Sequence, residues 1–242
     1  MSILNPSGRP PILGDVTAFD CTLTDSGWPW AAGNAAAIAA HWAEVKAANP
    51  ALFNGKVIIA TEVGIEKSHL VSSHVVTDFA ALTYWRYLGF PRADAFNLFG
   101  AGVVVTSDGA VLLGRMAAHT ANAGFVYFPC GTPDLDDVTA DGSLDIDGSI
   151  LRELQEETGL EPRHLTPSAK RWISWDGPLF CCARRIDTPL TAGEVLSVCR
   201  RRITFDASSE LEDVVLVRST GDLAGLNIPA YAVAIIGDVL GD

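Results

Sequence analysis

Basic residues are scarce in this chain of 242 residues: 17 Lys and Arg stand against 29 Asp and Glu, a formal net charge of −12. A nucleic-acid surface needs clustered cations. The single short cluster, Arg200, Arg201 and Arg202, reads as a helix end, so no nucleic-acid partner is expected. An anionic substrate would need a mediator on so acidic a protein, and a divalent cation is the obvious one. Long apolar runs are also missing. The longest, such as residues 231–236, are far too short to span a bilayer, and the opening MSILNPSGRPP has no apolar signal core. Cysteines number five, an odd count, with Cys181 and Cys182 adjacent and no CxxC or Cys/His ligand spacing. A disulfide framework and a zinc site are therefore not expected, and reduced thiols are. No low-complexity tract or solenoid-period repeat is present. The expectation is a soluble cytoplasmic protein with no membrane contact.

What is there is enough apolar sequence for a core, 48% hydrophobic against 19% charged, a balance that excludes bulk disorder. Residues 34–48 read as a helix, with Asn34 as N-cap and Asn49-Pro50 as the stop. Residues 56–65 and 68–76 read as strands, and 78–89 as an amphipathic helix closed by Gly89. These elements make up an expected N-terminal extension, residues 1–95, packed on a second domain, 96–242. In that domain, 102–116 is a strand–turn–strand around Ser107, Asp108 and Gly109. A short buried strand (125–128), an acidic loop (131–148) and a helix from about Ser149 to Thr158, closed by Gly159, follow. Strands at 171–175, 178–186 and 214–218, a helix or long loop at 191–202 and a terminal helix at 229–240 complete it. Hairpins and helices alternate irregularly, which predicts an α/β (α+β) fold with a mixed sheet sandwiched between helices.

Within the helix before Gly159 lies the string RELQEETGL, residues 152–160. On a helix, Glu153, Glu156 and Glu157 share one face. Like charges at these spacings repel by about 0.2–0.5 kcal/mol per pair, and the C-terminal end of the helix dipole disfavours them again. A hard divalent cation would reverse both penalties. A bare glutamate triplet is more often a solvated helix face, so the surrounding positions matter. Arg152 precedes Glu153, Leu154 is apolar, and Gly159-Leu160 closes the element.

This pattern resembles the C-terminal half of the signature of the Nudix hydrolases. The match is incomplete upstream. Counting back from Arg152, the family's further glutamate falls on Leu144 and its glycine on Val138; the nearest glycine of the right kind is Gly131, in FPCGTPD. A longer loop, 132–148, rich in aspartate, reconciles the spacing. Asp145 or Asp147 in it either replaces the glutamate or caps the helix, for which Asp147 is well placed. The strings 119–138 and 49–57 and the stretch Tyr84-Trp85-Arg86 resemble a subgroup with an N-terminal extension and lengthened loop, some of whose members are UDP-sugar pyrophosphatases.

The resemblance implies hydrolysis of the diphosphate bond in a nucleoside diphosphate linked to another moiety, such as UDP-glucose, with Mg²⁺ or Mn²⁺ as cofactor. An ADP-ribose or coenzyme-A type pyrophosphatase and a non-catalytic nucleotide-binding domain are the alternatives. A homodimer is implied on the same basis. Carried over by position, Glu153, Glu156 and Glu157 are metal ligands, and one of them, or a carboxylate outside the helix, takes the proton of the attacking water. Glu153 and Arg152 are catalytic candidates. Arg152 orients a glutamate, or else forms a plain surface pair with Glu156. Of the acids in SSELEDVVLV, Glu212 is the choice for a further catalytic carboxylate, against an ordinary polar strand entry. Arg115, His119 and Gly131 are the substrate-binding candidates; the alternatives are a surface arginine and a hydrogen-bonded loop histidine. Tyr127, Trp85 and Phe53 either pack or line a nucleoside pocket.

Overall fold

The computed structural model describes residues 9–92 and 94–241. In chain order the elements are β1 (Ile12–Val16), β2 (Ala18–Leu23), α1 (Pro29–Gly33), α2 (Ala35–Ala48), β3 (Lys56–Glu66), β4 (His69–Asp78) and α3 (Phe79–Tyr87). Then come β5 (Asn97–Val105), β6 (Val111–Met116), β7 (Val126–Tyr127), β8 (Cys130–Gly131) and α4 (Ile146–Thr158). The chain ends with β9 (Thr166–Asp176), β10 (Leu179–Asp187), α5 (Ala192–Phe205), β11 (Leu211–Val217) and α6 (Ala230–Leu240). None of these helices is long and apolar enough to cross a membrane.

Two sheets result. The large one runs β1-β9-β10-β5-β6-β11, with β7 on β6 and β8 on β5; the small one runs β2-β4-β3. The large sheet is mixed, since β10 pairs β5 in parallel while its other pairs are antiparallel. Helices cover both of its faces, as expected. All nine positions of β5 are buried, the continuous apolar run of a strand covered on two sides. A Cβ on Gly100 would sit 2.7 Å from Ile150 Cγ1, so α4 rests directly on that face. The neighbouring Phe99 points the other way and meets Tyr231 of α6 edge-on at 5.1 Å.

The division at residue 95 does not follow the sheets. β1 pairs antiparallel with β9 along its whole length and forms an edge of the large sheet. The small sheet has its own apolar cluster on one side, built on Trp85, Trp28, Ile59, Val75 and Leu82. On its other side Ile58, Ala60, Leu70 and Cys21 pack with Ile146 and Ile150 of α4. Helix α4 therefore lies between the two sheets.

The hairpin at 106–110 forms, but its arms part at once. β5 and β6 pair only at Val105 and Val111. Into the gap come β7, which pairs β6, and β8, which pairs β5. The Gly102 N–H donates to Pro129 O at 2.9 Å and holds the crossing between them. This splay brings Cys130 and Gly131 against α4.

His74, on β4, is fully buried with Nε2 2.8 Å from Ser72 Oγ. Burial pushes its pKa from 6.5 down to about 4. The unfolded chain then takes up the proton first, so stability is lost as pH falls below 6.5 and the loss is complete below about 4. At pH 5 this histidine should cost about 2 kcal/mol relative to pH 8. Urea unfolding of the native chain and of His74→Gln at both pH values measures it. A pH slope no steeper in the native chain than in the variant would contradict the assignment.

Candidate active site

Helix α4 starts earlier than the sequence suggests. Asp145 is its N-cap, accepting the Gly148 N–H at 2.8 Å. Asp147, expected as the cap, lies in the first turn and instead receives Arg171 Nη2 at 2.7 Å and Arg184 Nη1 at 3.1 Å. The first turn reaches back to Ile146 because that side chain and Leu144 are apolar and buried against the small sheet. Asp145→Ala should therefore cost about 1 kcal/mol by loss of the cap, measurable by urea unfolding; no change would mean that the cap bond does not hold the helix.

The upstream loop has no carboxylate at its Leu144 position to offer. Leu144 is buried, its N–H donates to Cys21 O at 2.9 Å, and it bridges to Val138. Asp134 and Asp137 form a capping box around a 3-10 turn, Leu135–Asp137. Asp137 is buried and accepts from Ser149 Oγ at 2.9 Å and Arg152 Nη2 at 3.0 Å. Sequence reading missed Asp137; an aspartate in an acidic loop carries no local sign that it will be buried under an arginine. Arg152 also places Nη1 at 2.9 Å from Glu153 Oε1, and stands 3.7 Å from Glu156. It bridges the loop to the glutamate face.

Glu153 and Glu157 point toward β8. A Cβ on Gly131 would run into the Glu153 carboxyl carbon, so glycine there makes room for the glutamate. Burial raises the Glu153 pKa to about 7, with Arg152 opposing and Glu156, Glu210 and Asp137 reinforcing the shift. Glu157 is buried and its pKa is raised well above the usual range, by burial first and then by Glu210 and Glu153; the Cys130 N–H opposes this. Its Oε2 has no hydrogen-bond partner. Glu156 is more exposed, with 59% of its side chain accessible. Among the described residues no three His, Cys, Asp or Glu side chains stand ready as a metal cage. What does gather is negative charge only partly offset: Glu210 acts on both Glu153 and Glu157, against Arg152 at Glu153 and the Cys130 N–H at Glu157. That donor set, with an orphaned buried carboxylate oxygen, fits a hard divalent cation.

Glu210, and not Glu212, belongs to this group. Glu212 is exposed on β11, whereas Glu210 precedes the strand, gives its carbonyl to the Ala117 N–H at 2.8 Å and lines the cavity described next. The two positions differ by the β-bulge between Leu211 and Asp213, which no local spacing in SSELEDVVLV announces.

Glu153 and Glu210 border a cavity of about 1040 Å³ at the place where β5 and β6 separate. The N-terminal half supplies another part of its wall, with Leu52, Phe53, Phe79 and Arg86. His119, Gly131 and Tyr127 line it; Arg115 and Trp85 do not. Arg115 is half-buried on β6, near Asp213, and Trp85 is core. The phenol of Tyr127 accepts Asn122 Nδ2 at 2.9 Å. The Asn49 side chain donates to His119 O at 2.8 Å and ties the N-terminal half to the cavity rim. Phe53 is 80% exposed at the rim.

No protein-family model and no curated protein matches the sequence. Solved structures do show likeness. A Nudix hydrolase from M. smegmatis, RenU, is 15% identical with a TM-score of 0.42, covering 61% of this chain and 89% of its own. The MutT protein from Methanosarcina mazei Go1 is 22% identical with a TM-score of 0.40, over 60% of this chain and 92% of its own. A C. elegans Ap4A hydrolase is 14% identical with a TM-score of 0.41, over 60% of this chain and 92% of its own.

Proposed function

We propose that this chain is a divalent-cation-dependent pyrophosphatase of the Nudix type, acting on a nucleoside diphosphate linked to a further group. The observation that carries the reading is the Arg-Glu-x-x-Glu-Glu string folded so that Glu153 and Glu210 border a cavity of about 1040 Å³ and the buried Glu157 feels the charge of both. A cation bound there, Mg²⁺ or Mn²⁺, would supply charge neutralisation of the diphosphate and acidification of a water. Glu157, Glu153 and Glu210 would hold it, and the exposed Glu156 would complete the face. Arg152 fixes the Glu153 carboxylate through the 2.9 Å contact. One water oxygen bonds to phosphorus, the anhydride P–O bond breaks, and the water's proton passes to a carboxylate, for which Glu210 is the candidate outside the helix. Two phosphomonoesters leave.

A nucleotide sugar such as UDP-glucose is the proposed substrate, supported by the likeness of residues 49–57 and 119–138 to that subgroup and by the share the N-terminal half takes in the cavity wall. A homodimer is proposed on the same resemblance. The test is turnover: UDP-sugars, ADP-ribose, NADH and coenzyme A are each incubated with Mg²⁺ or Mn²⁺, and released phosphomonoester is counted. Cation-dependent release, greatest with UDP-sugars, is the expected outcome. Equal rates across unrelated bases would remove the sugar-nucleotide assignment, and tight binding without turnover would remove the hydrolase.

A further inference from the structure

Arg86 is the single Lys or Arg among the described residues lining the cavity. It sits in the last turn of α3, and its Nη2 donates to Asn122 Oδ1 at 2.8 Å. Asn122 in turn donates to the Tyr127 hydroxyl. No ion pair to a carboxylate is found for it among the described residues. Burial holds its pKa below the usual arginine range. A guanidinium carries five N–H donors in a planar fork, and the amide of Asn122 satisfies one. Arg86 is half-buried, and a charge drawn partly out of water is ordinarily paired with an opposite one. Arg152, Arg171 and Arg184 on this same chain all follow that rule, each against an aspartate. Were Arg86 only a strut between α3 and Asn122, a neutral amide could make the same bond without desolvating part of a charge.

We propose that Arg86 is the anion-binding residue of the cavity: its guanidinium receives a phosphoryl oxygen of the ligand, while Glu153, Glu157 and Glu210 hold the cation that shares the same charge. The N-terminal half then supplies a binding residue to the site and is more than a cover over it. A guanidinium binds phosphate oxygens in a two-pronged geometry that an ammonium cannot copy, so position and orientation of the diphosphate both follow from α3. The proposal deepens the pyrophosphatase reading and rests on it for the identity of the anion.

Inorganic pyrophosphate in EDTA, at constant ionic strength, is the probe, followed by calorimetric titration and by thermal unfolding. The native chain should bind it and gain melting temperature. Arg86→Gln should bind at least tenfold more weakly and lose that gain, and Arg86→Lys should fall between. Glu157→Gln should bind no more weakly than the native chain, because it removes a negative charge. Equal affinity in the native chain and Arg86→Gln, or no binding by the native chain, overturns the proposal. If Arg86→Gln does not fold, the Lys variant carries the comparison, and undiminished binding by it together with an unchanged thermal gain counts against the two-pronged contact. Turnover separates this from the hydrolase reading. Arg86-dependent binding without any cation-dependent turnover keeps Arg86 and rejects the hydrolase. Turnover with a KM unmoved in Arg86→Gln keeps the hydrolase and rejects Arg86.

Discussion

Glu157→Gln should lower cation-dependent turnover at least about a hundredfold, roughly 2.7 kcal/mol of barrier, and at the same time make the cation-free protein more stable. The two effects have one origin. Glu157 is buried, its Oε2 has no partner, and Glu210 and Glu153 add like charge to the cost of burial. The amide keeps the shape, retains an oxygen for the Cys130 N–H and carries no charge. At pH 8 in EDTA the melting temperature should therefore rise by about 2–4 °C for each kcal/mol recovered. With saturating Mg²⁺ the order should reverse. A cation that binds only the folded chain stabilises it by about 2.7 kcal/mol at a hundred times its Kd, and the variant should lose most of that gain. Melting curves with and without Mg²⁺, beside the turnover assay, read both arms. A variant that is active, or that is destabilised in EDTA and still stabilised by Mg²⁺, would show that Glu157 holds no cation.

The second large effect is expected at Asp147. Its carboxylate takes Arg171 and Arg184, whose side chains are only 14% and 16% exposed. Arg171 Nη1 also donates to Thr17 O at 3.1 Å. One aspartate thus joins the first turn of α4 to β9, β10 and the β1–β2 connection. Asp147→Ala leaves two largely buried guanidinium groups without their acid. Removing one partner of a buried pair costs about 3–5 kcal/mol; with Asp147 itself 29% exposed, about 2–4 kcal/mol is expected here. The melting temperature should fall by roughly 4–16 °C. Asp145→Ala, two residues away but acting only as a cap, should cost about 1 kcal/mol, so comparing the two in urea distinguishes pairing from capping. Equal losses would place the arginines' stabilisation elsewhere.

The sequence by itself determined what depends on near neighbours along the chain. The face shared by Glu153, Glu156 and Glu157 follows from helical spacing, the αL end at Gly159 from the lack of a Cβ, and the turn at 106–110 from Ser107, Asp108 and Gly109. The buried β5 follows from its unbroken apolar run. Most element positions were legible for the same reason. Only the tertiary structure decided which side chains from distant segments meet that face. Glu210 joins it and Glu212 does not, because a bulge in β11 turns one away. Asp137 is drawn under Arg152, and Asp147 under two arginines from strands far along the chain, so neither is the solvated acid or the cap that loop composition suggests. β1 joins the large sheet across a sequence boundary that composition places near residue 95. Arg86 stands in the cavity wall because α3 is carried there by the small sheet, which packs on α4. Periodicity fixes which residues share a face; it holds no information on the pairing of surfaces from separate segments of the chain, which is settled by the burial of whole faces against one another.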